Sequence, residues 1–180
     1  MIALPVRRKV PPGRSDDGMD ETTRHGGCTC GDARYAVKGE PIFVNNCHCR
    51  QCQQQTGSTS VVNMFYEADR LTLLSGEISR HVVKAGSGGD HVIVRCATCG
   101  SALWSHYPRL GEHGAGIRVG TLDDPRSIRP DAVIYAAEKM DWVMLPPDIP
   151  AFPAQYSPAE LLPPERFARL KALAAKARPA

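Results

Sequence analysis

Aromatic side chains are scarce in this chain: Phe, Trp and Tyr make up 6% of 180 residues. Single-stranded nucleic acid is usually held by stacking its bases on aromatic platforms, so the scarcity argues against that partner. An excess of one charge is also missing. Twenty-two Lys and Arg stand against 19 Asp and Glu, for a formal net charge of +3. The basic residues are scattered, apart from Arg7, Arg8 and Lys9 and the C-terminal Arg166, Arg169, Lys171, Lys176 and Arg178. That tail is the one feature that keeps nucleic acid open as a partner. No apolar run approaches the roughly 20 residues that cross a bilayer. The N-terminal stretch lacks the continuous apolar segment of a secretory signal. The expected compartment is the cytoplasm, with no membrane association. No internal repeat is present.

A sustained helical period is missing over most of the chain as well. The length suits one domain with a real core. Residues 1–22 are rich in Pro, Gly and charge without any period, and are expected to form a disordered extension. Residues 23–156 read as a run of short strands, among them "ARYAV" (33–37), "PIFVN" (41–45), "STSVVNMFY" (58–66), "HVIVRC" (91–96), "SALWSHY" (101–107) and "DAVIYAAE" (131–138). Glycine-containing turns separate many of them, so the expectation is a mainly β domain. Residues 157–180 change character. Ser157, Pro158 and Glu160 fit a capping box, and Pro163 and Pro164 break and restart the helix. Phe167, Leu170 and Leu173 then mark one apolar face. A terminal helix packed on the domain is the plain reading; a helix for a partner or an oligomer is the alternative.

What is abundant is cysteine. The seven fall as Cys28 and Cys30, then Cys47, Cys49 and Cys52, then Cys96 and Cys99. In a reducing compartment disulfides are rare, and close thiol pairs more often bind metal. "CTCGD" and "CATCGS" share a glycine directly after the last cysteine, at Gly31 and Gly100. Glycine tolerates positive φ and lets the backbone fold behind a metal. This pairs Cys28 and Cys30 with Cys96 and Cys99 as one closed tetrahedral zinc site. Cys47, Cys49 and Cys52 remain as a second site. His48 lies between two of its ligands, so in an extended backbone its side chain points away. Either His25, His81, His91, His106 or His113 supplies a fourth ligand, or the position is open. Three protein ligands with an open position is the arrangement of a catalytic zinc, and a soft trithiolate centre favours an incoming thiol. Redox-active cysteines without metal are a further reading. Asp123 and Asp124 before Pro125 read as turn residues.

The stretches "GGCTCGDARY" (26–35), "CHCRQCQQQTGS" (47–58), "RCATCGSALW" (95–104) and "GTLDDP" (120–125), with Trp142, Pro150 and Phe152, carry a family resemblance. The chain resembles the glutathione-dependent formaldehyde-activating enzyme family, which also includes centromere protein V. The resemblance implies a β-tent of small antiparallel sheets held by zinc, with a C-terminal helix beyond. It implies a structural ion on Cys28, Cys30, Cys96 and Cys99 and an exchangeable ion on Cys47, Cys49 and Cys52. The implied activity is of the carbon–sulfur lyase type: addition of glutathione, or a similar thiol, to formaldehyde or another small aldehyde. A non-catalytic thiol-binding module or an interaction protein is the alternative. Many members carry basic residues after the third cysteine of the second cluster. Here those positions are Gln53, Gln54 and Gln55, and Arg50 is the cation nearest in sequence. Arg50 and the backbone around Thr56 and Gly57 are therefore the expected substrate-binding residues.

Overall fold

Stretches rich in Val, Ile, Phe and Tyr, cut by glycine turns, build ten strands among the described residues. The structure, a computed structural model, describes residues 22–177, so the expected extension over 1–22 lies outside the described residues except for Thr22. β1 (Thr23–Gly27), β2 (Arg34–Lys38) and β5 (Leu71–Ser75) form an antiparallel three-stranded sheet in the order β1-β2-β5. A seven-stranded sheet takes β3 (Phe43–Cys47), β4 (Val61–Glu67), β6 (Ile78–Lys84), β7 (Asp90–Cys96), β8 (Ala102–His106), β9 (Gly114–Arg118) and β10 (Ala132–Ile134). Its order is β10-β3-β4-β9-β8-β7-β6. All its pairings are antiparallel except that of β10 with β3. The mainly β architecture with a C-terminal helix is as expected.

Strand β1 was not among the expected strands; two of its five residues are glycine, which weakens any strand signal. Helix α1 (Arg50–Thr56) was also missed. Its sequence RQCQQQT has no apolar period. Cys49 caps it instead, its Sγ accepting from the Cys52 N–H at 3.4 Å, and Gly57 ends it with φ of 62°. The expected capping box is only half made. Ser157 does cap α2 (Pro158–Leu161), but its side chain makes no capping bond. The Glu160 N–H is taken by the Ser157 carbonyl at 3.0 Å instead.

Both faces of β4 are covered, and its period of two sorts the molecule. Met64 and Tyr66 point into the main core between the sheets, with Tyr35, Val37, Val94, Trp104 and Ile117. Val61 and Phe65 point the other way. Val61 packs with Cys47 and Cys52. Phe65 packs with Ile42, Leu110 and Leu173 of α3 (Pro164–Lys176). Asn63 lies between them on the same face, paired in register with Arg118 of β9. The cysteine cluster and the terminal helix thus flank one buried polar position.

Two arginines of the basic tail are used inside the fold. Arg166 donates to the Ile42 carbonyl at 2.6 Å and makes a two-point contact with Asp131. Arg169 makes another with Glu67 at 2.9 and 2.6 Å. Leu173 is 2% exposed. Leu173→Ala should therefore lower unfolding free energy by about 2–5 kcal/mol, the usual loss for a truncated core leucine. Urea denaturation would measure it. A loss under about 1 kcal/mol would mean that α3 is dispensable to the domain.

Candidate metal centres

Two short loops of matching shape carry the first cluster. In one, the Cys28 N–H donates to the Ala33 carbonyl at 3.0 Å; in the other, the Cys96 N–H donates to the Ser101 carbonyl at 3.0 Å. Each loop turns back through a glycine with positive φ, 84° at Gly31 and 74° at Gly100. A side chain there would strain the turn. The result brings Cys28, Cys30, Cys96 and Cys99 together with all four sulfurs within 4.8 Å of one another. Cys28 lies 3.3 Å from Cys30, and Cys30 lies 3.9 Å from Cys96. A disulfide would need about 2.05 Å. The edge of a tetrahedron with bonds of about 2.3 Å is about 3.8 Å, close to what is seen.

Hydrogen bonds already favour thiolate character here. Ala33 N–H meets the Cys28 sulfur at 3.2 Å. The hydroxyl and then the backbone of Ser101 pull Cys99 down to about 5. A backbone bond at Asp32 draws Cys30 down, but Cys28 and Cys99 push it up to about 12. The four thiols cannot all ionise without a cation between them, so the donor set fits a soft divalent metal.

The second cluster forms where β3 runs into α1. Cys47 is the last residue of β3, Cys49 caps α1 and Cys52 sits in its first turn. The three sulfurs also lie within 4.8 Å of one another, and no fourth His, Cys, Asp or Glu joins this set among the described residues. His48 is outside it. Its backbone N–H bonds the Ile134 carbonyl, and its ring is buried with neither nitrogen hydrogen-bonded. His25, His81, His91, His106 and His113 do not join it either. The thiols titrate as a unit. Contact with Cys47 and then Cys52 pulls Cys49 down to about 2, while contact with Cys49 and Cys52 drives Cys47 far up. Cys52 is drawn down by Cys47 but raised by Cys49 and by burial, to about 12. The three thiols oppose one another's ionisation, and a cation between them would favour loss of their protons.

Arg50, Gln53, Gln54, Gly57, Ser58, Thr59 and Met140 line a cavity of about 520 Å³ along α1. None of the three cysteines is in that lining. Cys47 and Cys52 are buried, and Cys49 is the more open one. Thr56 is not in the lining either; its hydroxyl turns back to donate to the Cys52 carbonyl at 2.8 Å. The Arg50 side chain reaches Gln53, and its backbone N–H donates to Glu138 at 2.6 Å. Asp123 is engaged elsewhere, in a two-point contact with Arg34 at 2.8 and 2.5 Å.

A buried polar group beside the second cluster escaped the sequence reading. Arg118 is 4% exposed and donates to Asn63 at 2.5 Å, Ser105 at 3.2 Å, Gln55 at 3.3 Å and the Tyr107 hydroxyl at 3.4 Å. His91 stacks on Tyr107 with ring centroids 4.3 Å apart and meets Gln55 at 3.4 Å. Burial, then the Arg118 charge, lowers His91 to about 4, so it stays neutral. Asn63 within the apolar run of β4 and a glutamine run on α1 were the available signals, and neither carries charge.

The sequence model of the family described as glutathione-dependent formaldehyde-activating enzyme matches residues 23–138. The chain belongs to that family. The matched stretch contains all seven cysteines and Arg118. No curated protein matches the chain. A crystal structure of a Rhodobacter sphaeroides protein is similar over 71% of this chain and 99% of its own, with a TM-score of 0.46 and 17% identity. Among the described residues no helix is long and apolar enough to cross a membrane.

The two clusters should differ in what they hold up. Cys99→Ser should cost one bound metal and the cooperative fold, because metal binding to a closed site is folding free energy. Cys49→Ser should cost one metal while the protein still melts cooperatively. Metal content by mass spectrometry, with thermal melting of each variant, checks both. Equal loss of stability would make the second cluster structural too.

Proposed function

We propose that the chain is a zinc-dependent enzyme of the carbon–sulfur lyase type. It joins a glutathione-like thiol to formaldehyde, or to another small aldehyde, as an S-hydroxymethyl adduct. The observation that carries this reading is a three-sulfur set that no fourth protein ligand joins among the described residues, in a chain that also holds a closed four-sulfur set. Cys28, Cys30, Cys96 and Cys99 would hold a structural zinc, and Cys47, Cys49 and Cys52 an exchangeable one. When bound there, zinc supplies an acidified thiol, well below the free value of about 8.5, and so a nucleophile at neutral pH.

The protein's own residues do the holding and orienting. The thiol gives its proton to water, its sulfur bonds to the aldehyde carbon, and the aldehyde oxygen takes a proton back. Arg50, Gln54 and the backbone at Gly57 offer a cation and an amide to the polar ends of a tripeptide-sized thiol. The cavity volume of about 520 Å³ falls in the range of small-molecule sites, roughly 300–1,000 Å³. Thr56 contributes through its backbone position on α1, since its hydroxyl is committed to the helix. Seven free thiols suit a reducing cytoplasm. The domain of this activity is 23–156, with 157–180 as a helical tail that braces it.

The alternative reading is a non-catalytic module that binds the thiol. It is favoured by one observation: the cavity lining holds no carboxylate and no histidine to move a proton. The rate of S-hydroxymethylglutathione formation, followed by exchange spectroscopy, separates the two. Acceleration above the spontaneous rate, lost in Cys49→Ser, is the expected result. Tight binding of glutathione without acceleration would favour the module. Equal binding of S-methylglutathione, whose thioether brings no charge to the metal, would remove both.

A further inference from the structure

We infer that Arg118 is the buried counter-charge of the three-cysteine centre, and that it biases the open coordination position toward an anionic thiolate over a neutral ligand. The inference rests on the reading that Cys47, Cys49 and Cys52 hold a metal ion.

A guanidinium that is 4% exposed normally faces a carboxylate, because an unpaired buried charge is costly. Arg118 faces none. Its four hydrogen-bond acceptors, Asn63, Gln55, Ser105 and Tyr107, are all neutral, and its Nε is buried without a partner. Among the described residues it is in no salt bridge. Such a cation is tolerable only if a negative charge lies close by another route.

The fold points to where that charge is. Gln55, which accepts from Arg118, is three residues beyond Cys52 on α1, and residues at that spacing share a helix face. Asn63, which also accepts from it, shares a face of β4 with Val61, and Val61 packs on Cys47 and Cys52. Arg118 therefore sits under the same wall that carries the cysteines. Three thiolates on a divalent ion carry one net negative charge, which one guanidinium balances. A fourth thiolate makes the centre doubly negative, and a neutral donor does not. A fixed cation in a dry site stabilises the first product more than the second.

The Asn63→Asp variant tests this without cutting into the core. The new carboxylate replaces an acceptor already 2.5 Å from Arg118 and pairs the guanidinium where it stands. The whole chain is loaded with cobalt(II), whose visible bands report the ligands at the open centre. It is then titrated with 2-mercaptoethanol, a thiol with no carboxylate, and separately with imidazole. In Asn63→Asp, 2-mercaptoethanol affinity should fall roughly tenfold or more while imidazole affinity stays within about twofold. Arg118→Gln should do the same, and Arg118→Lys should keep most of the preference. If Arg118→Gln fails to fold, Asn63→Asp alone decides. An unchanged ratio of the two affinities in Asn63→Asp overturns the counter-charge role. So does a loss seen with glutathione but not with 2-mercaptoethanol, which would make Arg118 a carboxylate anchor. A wild-type centre that takes neither ligand overturns the proposed function and this inference with it.

Discussion

Four sulfur atoms drawn from two different sheets are gathered into one small volume, and the rest of the architecture hangs on that convergence. Cys28 and Cys30 lie in the β1–β2 turn of the three-stranded sheet, while Cys96 ends β7 and Cys99 lies in the β7–β8 turn of the seven-stranded one. The two turns are held by the same kind of closing bond and the same left-handed glycine. Thr29 and Ser101 stitch them directly, hydroxyl to hydroxyl at 2.7 Å. The apolar core between the sheets, centred on Tyr35, Met64, Tyr66 and Trp104, is closed at one edge by this junction. A small β domain has limited apolar area to bury, so a rim that could hold a metal ion suits it.

The second cluster is built on a different logic. It lies on the opposite face of the seven-stranded sheet, at the point where a strand gives way to a seven-residue helix. Sulfur caps that helix where oxygen usually does. Behind it is a polar patch, buried at Asn63, His91, Ser105 and Arg118 and half-buried at Gln55 and Tyr107. Polar groups in such surroundings interact strongly because water does not compete. The first cluster is exposed at Cys30 and Cys99 and ringed by hydroxyls, whereas the second is sunk and backed by a fixed charge. One chain therefore presents two thiol environments whose electrostatics have little in common.

Much of this was legible in the residues. The pairing of the outer cysteine clusters followed from the glycines at 31 and 100, because a positive φ is a backbone requirement that sequence writes openly. The isolation of His48 followed from its place between two ligands. The apolar face of α3 followed from the spacing of Phe167, Leu170 and Leu173. Other features could not be read. Helix α1 is specified by a thiol cap and a terminal glycine and has no hydrophobic period to announce it. Arg118 sits in "AGIRVG", where an arginine on an ordinary strand would face water. Only the pairing of β4 with β9, and the burial of both faces of that sheet, turns it inward. Charge burial is a property of the assembled layers and leaves no local trace.

The parallel pairing of β10 with β3 has a consequence for the order in which the protein is made. Its register sets Ile134 against Cys47, and the Asp131 carboxylate accepts from the Val44 N–H across 87 residues of chain. The outer cluster needs nothing beyond Ser101 to close. The inner one leans on β10 and, through Phe152 and Tyr156, on chain that leaves the ribosome later still. Vectorial synthesis at roughly 5–20 residues per second thus presents the outer thiols to the cell's metal supply seconds before the inner ones have their wall. During that interval Cys47, Cys49 and Cys52 are ordinary nascent-chain thiols, open to any electrophile, including the aldehydes that the finished protein is proposed to handle.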